Sequence, residues 1–513
     1  MCREKKTLRG SITVFASLSL LLVASFLLVL LEAARVKGLD AYSRMQRTNA
    51  MESVFSGYDR DLFDRYGVFL LDGSGGSETL QFSQINARLQ SVSQKNLRPV
   101  ISGATLGNVH NFYQMDVADA FVTGYLLATD YGGAVFRKMA VESMKARYPA
   151  ELAQSLYDSL QSADQAMTQA EQSRSAMDQA QENIEAAKEA QAAAQNAASE
   201  QGNAPQSSSQ TAVAQPVENP MDVVKAIKKA DILTLVMPPG SSVSSKTISG
   251  KETLEHRQLL QGNEAWEKNG GWYEAVVYQQ FLQTRFASYA YESGGSGDGA
   301  LDYELEYIHA GKKSDRENLK SVVNQLLLLR EGANFVYLQT DVTKQQEAYS
   351  VATALAAAVG IAPAAGLIAQ GILAAWAYAE SILDVRTLLA GGKIAWMKTA
   401  ENWSSSLSGI GSLLTGGVRA KGQENGDDYK GYLKKLLWLN TERSLNYRPM
   451  DLMELRAEMD GRTIRMDAMI LALRADISYE AAPLFSEMVT TQKLQVECWE
   501  FSESEYYSYF SDV

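Results

Sequence analysis

"RGSITVFASLSLLLVASFLLVLLEAARV", Arg9 to Val36, follows a short basic head and sets the plan of the whole chain. From Ile12 to Leu31 no residue is charged. About twenty residues of helix span roughly 30 Å, enough to cross the hydrocarbon core of a bilayer. The head holds Arg3, Lys5, Lys6 and Arg9 against Glu4 alone. By the positive-inside rule this predicts a cytoplasmic N-terminus. The chain is then a single-pass cell-membrane protein with an extracytoplasmic body.

Three readings of the stretch compete. A cleaved secretory signal needs an apolar core of about 7–15 residues and a small-x-small site. This run is longer, and in "LLEAAR" Leu31 or Glu32 falls where a small residue belongs; "VAS", Val23 to Ser25, is a weaker internal site. A plain single-pass anchor is the second reading. The third is a pilin-type stem, in which a basic leader ending in glycine precedes a helix that both anchors and packs. Arg9-Gly10-Ser11 puts a candidate leader-processing site at Gly10 and Ser11, although Phe15 stands where a prepilin carries glutamate. Thr13, Ser17, Ser19 and Ser25 are the candidates for packing in the membrane, since their hydroxyls can bond the helix backbone or a neighbouring helix.

The chain has 513 residues, 46% apolar and 21% charged, with a net charge of -12. That length predicts two or three domains, and the acidic body argues against nucleic acid as a partner. The two cysteines, Cys2 and Cys498, fall on opposite sides of the membrane if Ile12–Leu31 crosses it, so no disulfide scaffold is expected.

The expected fold class is α+β, with a long N-terminal transmembrane and stem helix before a large, mixed, helix-rich body. The division read from the chain is 1–11 basic cytoplasmic leader, 12–31 transmembrane helix, and 32–149 stem helix with a small α+β domain. After these come 150–220, an Ala/Gln-rich helix and Pro/Ser linker, and 221–513, a helix-rich α+β domain. Leu39, Tyr42, Met45, Ala50, Val54 and Phe55 recur at helical spacing and extend the stem. "YGVFLLDGSGG" reads as a strand and turn, "FSQINARLQSVSQKNL" as an amphipathic helix, and "LGNVHNFYQMDVADAFVTG" as strand-like. The Ala, Gln and Glu of 150–201 favour helix, but an Ala/Met seam is thin for a coiled coil, so an exposed or weakly paired helix is expected.

Beyond Pro220, "MDVVKAIKKA" reads as a helix, "DILTLVMPP" as a buried strand and "WYEAVVYQQFLQTRFASYA" as a helix. In "LDYELEYIHAG" the alternation of Leu301, Tyr303, Leu305, Tyr307 and His309 predicts a strand. Ser314, with Glu317 three residues on, starts a capped helix. Val351 to Ala379 is uncharged and could cross a membrane; its Ala and Gly content and Pro363 favour a buried helical hairpin. "YLKKLLWLN" and "RPMDLMELRAEMDGRTIRMDAMILALRAD" read as helical, and the aromatic–acidic tail as an edge strand.

Motifs for catalysis, nucleotide binding or metal binding are missing from the sequence, so a non-enzymatic role with no cofactor and no small-molecule substrate is expected. The glycines of "ESGGSGDGA" read as a turn, and Asp427 and Asp428 as a solvated loop. Glu380, Asp384 and Arg386 suggest a structural ion pair beside the hairpin. The competing enzyme reading, an extracytoplasmic hydrolase, requires Glu304, Glu306 and Asp315 to converge with shifted pKa values. If 302–306 is a strand, Asp302, Glu304 and Glu306 share one face.

The leader "GSITVFASLSLLLVASFLLVLLEAARV", "YDRDLFDRYGVFLLD", "YELEYIHAGKKSDRENLKSVVNQLLLLREGANF" and "AAWAYAESILDVRTLLAGGK" together resemble an uncharacterised family of membrane-anchored Gram-positive proteins, a domain of unknown function met beside tight-adherence (Tad/Flp) pilus genes. The N-terminus is similar to that of TadE/TadG-type minor pseudopilins. The resemblance implies an anchor helix, an extracytoplasmic domain, and pilin or pilus-assembly proteins as partners through the N-terminal helix. It implies no catalytic residues. A membrane-anchored adhesin or sensor outside any fibre is the remaining alternative.

Overall fold

The computed structural model describes residues 9–77, 79–97, 113–200, 219–249, 253–268, 270–289, 299–415, 418–485 and 498–510. Cys2, most of the Pro/Ser linker and most of the "ESGGSGDGA" turn lie outside these residues, as do the side chains of Gly10 and Ser11. In chain order the elements are α1 (Arg9–Phe55), α2 (Arg60–Tyr66), β1 (Leu71–Asp72), α3 (Phe82–Asn96), β2 (Met115–Leu127), α4 (Asp130–Lys145), α5 (Ala150–Glu200), α6 (Pro220–Lys229), α7 (Ile232–Val236) and α8 (Trp272–Arg285). They continue as α9 (Glu304–Ala310), α10 (Asp315–Thr340), α11 (Val342–Ala358), α12 (Ala365–Leu389), α13 (Tyr429–Trp438), α14 (Glu442–Met459), β3 (Met469–Ala481) and β4 (Trp499–Ser508). The class is α+β, with a long apolar N-terminal helix followed by a larger, mainly helical body.

The chain forms two compact units. Unit 1 comprises Met1–Ser143, Leu259–Lys268 and Gly461–Val513; unit 2 comprises Met144–Gln258 and Asn269–Asp460. This partition differs from the linear one read from sequence, because strand pairing is non-local. β3 lies antiparallel between β2 on one side and β1 with β4 on the other. Its register with β2, Met115 opposite Ala481, joins residues separated by the whole of unit 2. β3 was expected to be helical. Its opening run Met469 to Leu473 is buried on both faces of a central strand, and such a short apolar run carries no period to separate strand from helix. The same ambiguity explains α7, expected as a buried strand, which buries Ile232, Leu233 and Val236 at helical spacing.

In unit 1, α1 and α3 pack on one face of the sheet. Leu39, Ala50, Met51, Val54 and Phe55 of α1 meet Ile85 and Leu89 of α3 and Leu473, Ala475, Ile477 and Tyr479 of β3. Each large apolar side chain buried this way contributes about 1.5–3 kcal/mol. The stem stripe differs from expectation at one place: Met45 is 51% exposed, and Met51 takes the core position. The strand expected in "YGVFLLDGSGG" is only two residues long and ends in a turn where Gly75 and Gly76 have positive φ.

In unit 2, α5 is a core element rather than an exposed helix. Ala153, Leu160, Ala163, Ala166, Ala170, Ser173, Met177, Ala180 and Ile184 are buried. A seam of small residues allows close approach, which is where its stability arises. A Cβ on Gly332 of α10 would overlap Ala166 O and lie 2.9 Å from Ala170 N. Gly332→Ala is therefore expected to cost about 1–3 kcal/mol by forcing α5 off α10. A urea midpoint equal to that of the parent would show that the two backbones have room to part. The hairpin is present, with α11 and α12 joined through Pro363 in a short 3-10 turn, but only its second arm is buried: the 18-residue window of α12 that is apolar enough to cross a membrane is 83% buried, whereas α11 buries only Ala348, Ala352 and Ala356.

Residues 304–310 are helical, not extended. Glu304 through Ile308 are all buried, so no alternation between faces exists there, and Gly311 closes the helix at φ +64. Ser314 caps α10 as expected, accepting from Glu317 N.

Candidate functional site: an exposed apolar helix and its clamp

The apolar part of α1 presents its side chains outward all round. Phe15 is 73% and Leu20 72% exposed. Ser17 Oγ donates to Val14 O at 2.9 Å and Ser25 Oγ to Leu22 O at 2.8 Å, so both hydroxyls return to the helix backbone. Such bonding makes a hydroxyl tolerable in hydrocarbon. At 100° per residue Thr13 and Ser17 share a face, one turn apart, while Ser19 lies on the opposite side and Ser25 between them. The four polar positions are thus not gathered into one stripe.

Immediately after Leu31 the helix becomes clamped. Glu32 is buried; its carboxylate accepts from Phe485 N at 2.8 Å, Leu484 N at 3.2 Å, Trp499 Nε1 at 3.2 Å and Arg35 at 2.9 Å. Arg35 in turn donates to Ala482 O at 3.0 Å and Tyr113 O at 2.6 Å. Twelve residues further on, Arg47 donates to Glu503 at 2.9 Å and to the carbonyls of Ile477 and Phe501 at 3.2 Å each. Tyr509 OH closes the far end on Phe55 O at 2.5 Å. The apolar rod is thereby joined rigidly to the sheet. The sequence marked this clamp only faintly, as an acid followed three residues later by a base at the end of an uncharged run.

Glu32→Ala should cost about 3 kcal/mol, because Arg35 and two backbone N–H groups lose their buried acceptor. Limited proteolysis should then cut near 482–485 faster than in the parent. Unchanged cleavage would mean that the clamp does not hold this segment.

The carboxylates proposed for hydrolysis do come together in unit 2. Each, however, is occupied by backbone. Glu304 accepts from Ala287 N at 2.9 Å; Glu306 from Tyr289 N at 2.9 Å and Tyr429 OH at 2.7 Å. Asp315 accepts from Asp302 N at 3.0 Å, Tyr303 N at 3.1 Å and Ser244 Oγ at 2.6 Å. Because 304–306 is helical, Glu304 and Glu306 do not share the strand face expected for them; Asp302 pairs with Lys246 at 2.8 Å. Burial raises Glu304 and Glu306 to about 7, and does the same to Asp451, which accepts from Leu254 N. Burial lowers His309 to about 4. A cavity of about 270 Å³ lies elsewhere in unit 2, between Val223, Glu347, Val351 and Ile410, and one of about 140 Å³ lies in unit 1 beside Asp72, Gln84 and Arg88. Neither is lined by these acids. Among the described residues no group of three or more His, Cys, Asp or Glu side chains is arranged to hold a metal ion.

Of the expected ion pair, Glu380 and Asp384 are buried, but Arg386 is not their partner. It donates to the carbonyls of Leu235, Leu413 and Val418 at 2.7, 2.6 and 3.2 Å. The partners are Arg330 and Lys398, which the sequence did not suggest. Arg330 Nε lies 2.9 Å from Asp384, and Lys398 Nζ lies 2.7 Å from both Glu380 and Asp384. The visible signal was two acids four apart in an otherwise apolar helix. Of the loop acids, Asp427 pairs with Lys435 at 2.5 Å and Asp428 caps α13 through Gly431 N.

Fold and site together define an α+β protein bearing a helix long and apolar enough to cross a membrane, clamped to an antiparallel sheet. The chain belongs to a protein family of unknown function, DUF5702, whose model matches residues 210–481, more than half its length. The match runs through α6 to the end of β3 and leaves out α1. No curated protein and no solved structure matches the chain.

Proposed function

We propose that the chain is a non-enzymatic, single-pass membrane protein with a cytoplasmic N-terminus and an extracytoplasmic body, acting as a minor pseudopilin-like or accessory component of a Tad/Flp-type pilus assembly. One observation carries this reading. The first part of α1 exposes apolar side chains on every side, while the second part is buried against the sheet. An exposed apolar area of this size needs lipid or other apolar helices around it. A continuous helix also transmits the position of the membrane segment to the sheet of unit 1. Glu304, Glu306 and Asp315 fit the non-enzymatic side, since each already accepts from a backbone N–H.

The test is the mass of the mature N-terminus from purified membranes. A terminus at Ser11 supports prepilin-type processing and the fibre role. An intact leader supports a permanent anchor and an accessory role. A terminus beyond Leu31 means secretion and overturns the proposal.

A further inference from the structure

We infer that the end of unit 1 around Leu484, Phe485 and Trp499 is a membrane-contacting rim, seated in the headgroup layer of the bilayer that α1 enters. The inference rests on reading Ile12–Leu31 as a membrane span. Glu32 is the first residue after that span, about 1.5 Å further along the axis. A helical side chain leans toward the helix N-terminus, so the carboxylate of Glu32 points back toward the bilayer. Arg35 reaches that carboxylate from further out along α1; its other partners, the backbone N–H groups of Leu484 and Phe485 and the indole N–H of Trp499, are thereby held at the level where the span ends.

Two further observations agree. Leu484, Phe485 and Trp499 are each partly exposed, and Leu28, one turn before Glu32, is already half-buried where its neighbours Leu27 and Val29 are 53% and 52% exposed. The residue types suit an interface: an indole with one polar edge, and apolar side chains at the level where hydrocarbon gives way to headgroups. The occupant is the lipid surface rather than a second protein, because the hydrogen bonds to Glu32 hold the rim beside the first residue after Ile12–Leu31, where a helix spanning the bilayer leaves the hydrocarbon.

The test uses the full chain with Cys2→Ser and Cys498→Ser, reconstituted in phosphatidylcholine/phosphatidylglycerol vesicles. An environment-sensitive fluorophore is attached at Phe485→Cys or, separately, Leu484→Cys. Controls are Phe15→Cys within the span and Asp64→Cys in α2, at the end of unit 1 where Tyr58, Phe63, Phe69 and Tyr509 cluster with Phe55. Quenching by a nitroxide on the lipid headgroup should be at least threefold stronger at 484 or 485 than at 64. Equal quenching at 484, 485 and 64, with the label at 15 shielded from aqueous iodide, overturns the rim while leaving the anchor intact. A label at 15 that remains open to iodide overturns the anchor reading, and the rim with it.

Discussion

Asp384→Ala should lower the unfolding free energy of unit 2 by about 3–5 kcal/mol, the largest single-residue effect expected in this protein. Asp384 is fully buried and accepts from Arg330 Nε at 2.9 Å and Asn334 Nδ2 at 3.0 Å, with Lys398 Nζ at 2.7 Å. Burial alone would raise its pKa; Arg330 and Lys398 outweigh that and hold it below the ordinary carboxylate range. Truncation leaves two cations facing Glu380 alone in a low-dielectric interior. The cost arises from the uncompensated charge rather than from the pair itself. Lys398→Met should be severe as well, whereas Lys398→Met with Glu380→Gln restores charge balance and keeps an acceptor for Ser404 N and Ser405 N. The double variant should recover at least about 1 kcal/mol relative to the sum of the singles. Urea unfolding followed by fluorescence can read this, since Trp376, Trp396 and Trp403 surround the network. Strict additivity would show that the four charges do not act as a unit.

The second large effect is on pH. Glu304, Glu306 and Asp451, raised to about 7, favour their protonated forms in the folded chain. A raised folded pKa gives stability that is fully present below the unfolded value and is lost as pH climbs through the folded one. His309, lowered to about 4, works the other way: its contribution is lost as pH falls below the unfolded value of 6.5. Between about pH 4.5 and 6.5 the folded state therefore binds a net excess of roughly two protons, and stability should fall by about 3 kcal/mol per pH unit as pH rises. Asp130 and Glu331, also raised by burial, act in the same sense. Asp384, being lowered, matters only in strong acid. Urea midpoints should thus drop from pH 5 to pH 7, and Glu306→Gln, whose amide oxygen still accepts from Tyr289 N, should flatten the slope. A midpoint that rises over this range would contradict the assignment.

The buried charges Arg330, Glu380, Asp384 and Lys398 of unit 2 are bonded within its own interior.

By itself, the sequence determined the membrane-competent helix, the amphipathic stem behind it, the capped α10, the α11–α12 hairpin and the edge strand at the tail. Each of these rests on local composition or a single-element period: twenty uncharged residues, a Ser314–Glu317 cap, a proline between two Ala-rich helices. Tertiary structure alone decided the rest. Met469–Leu473 could be helix or strand until β2 and β4 paired on either side of it. The Ala seam of α5 looked too thin to pack until Gly332 and Gly371 allowed neighbouring backbones close enough to use it. Glu380 and Asp384 found Arg330 and Lys398 rather than nearby Arg386, and Glu32 found Leu484, Phe485 and Trp499 more than 450 residues away. Local pattern carries the free energy of forming an element. Partner choice depends on which distant groups share a desolvated site, and that information exists only once the chain has folded.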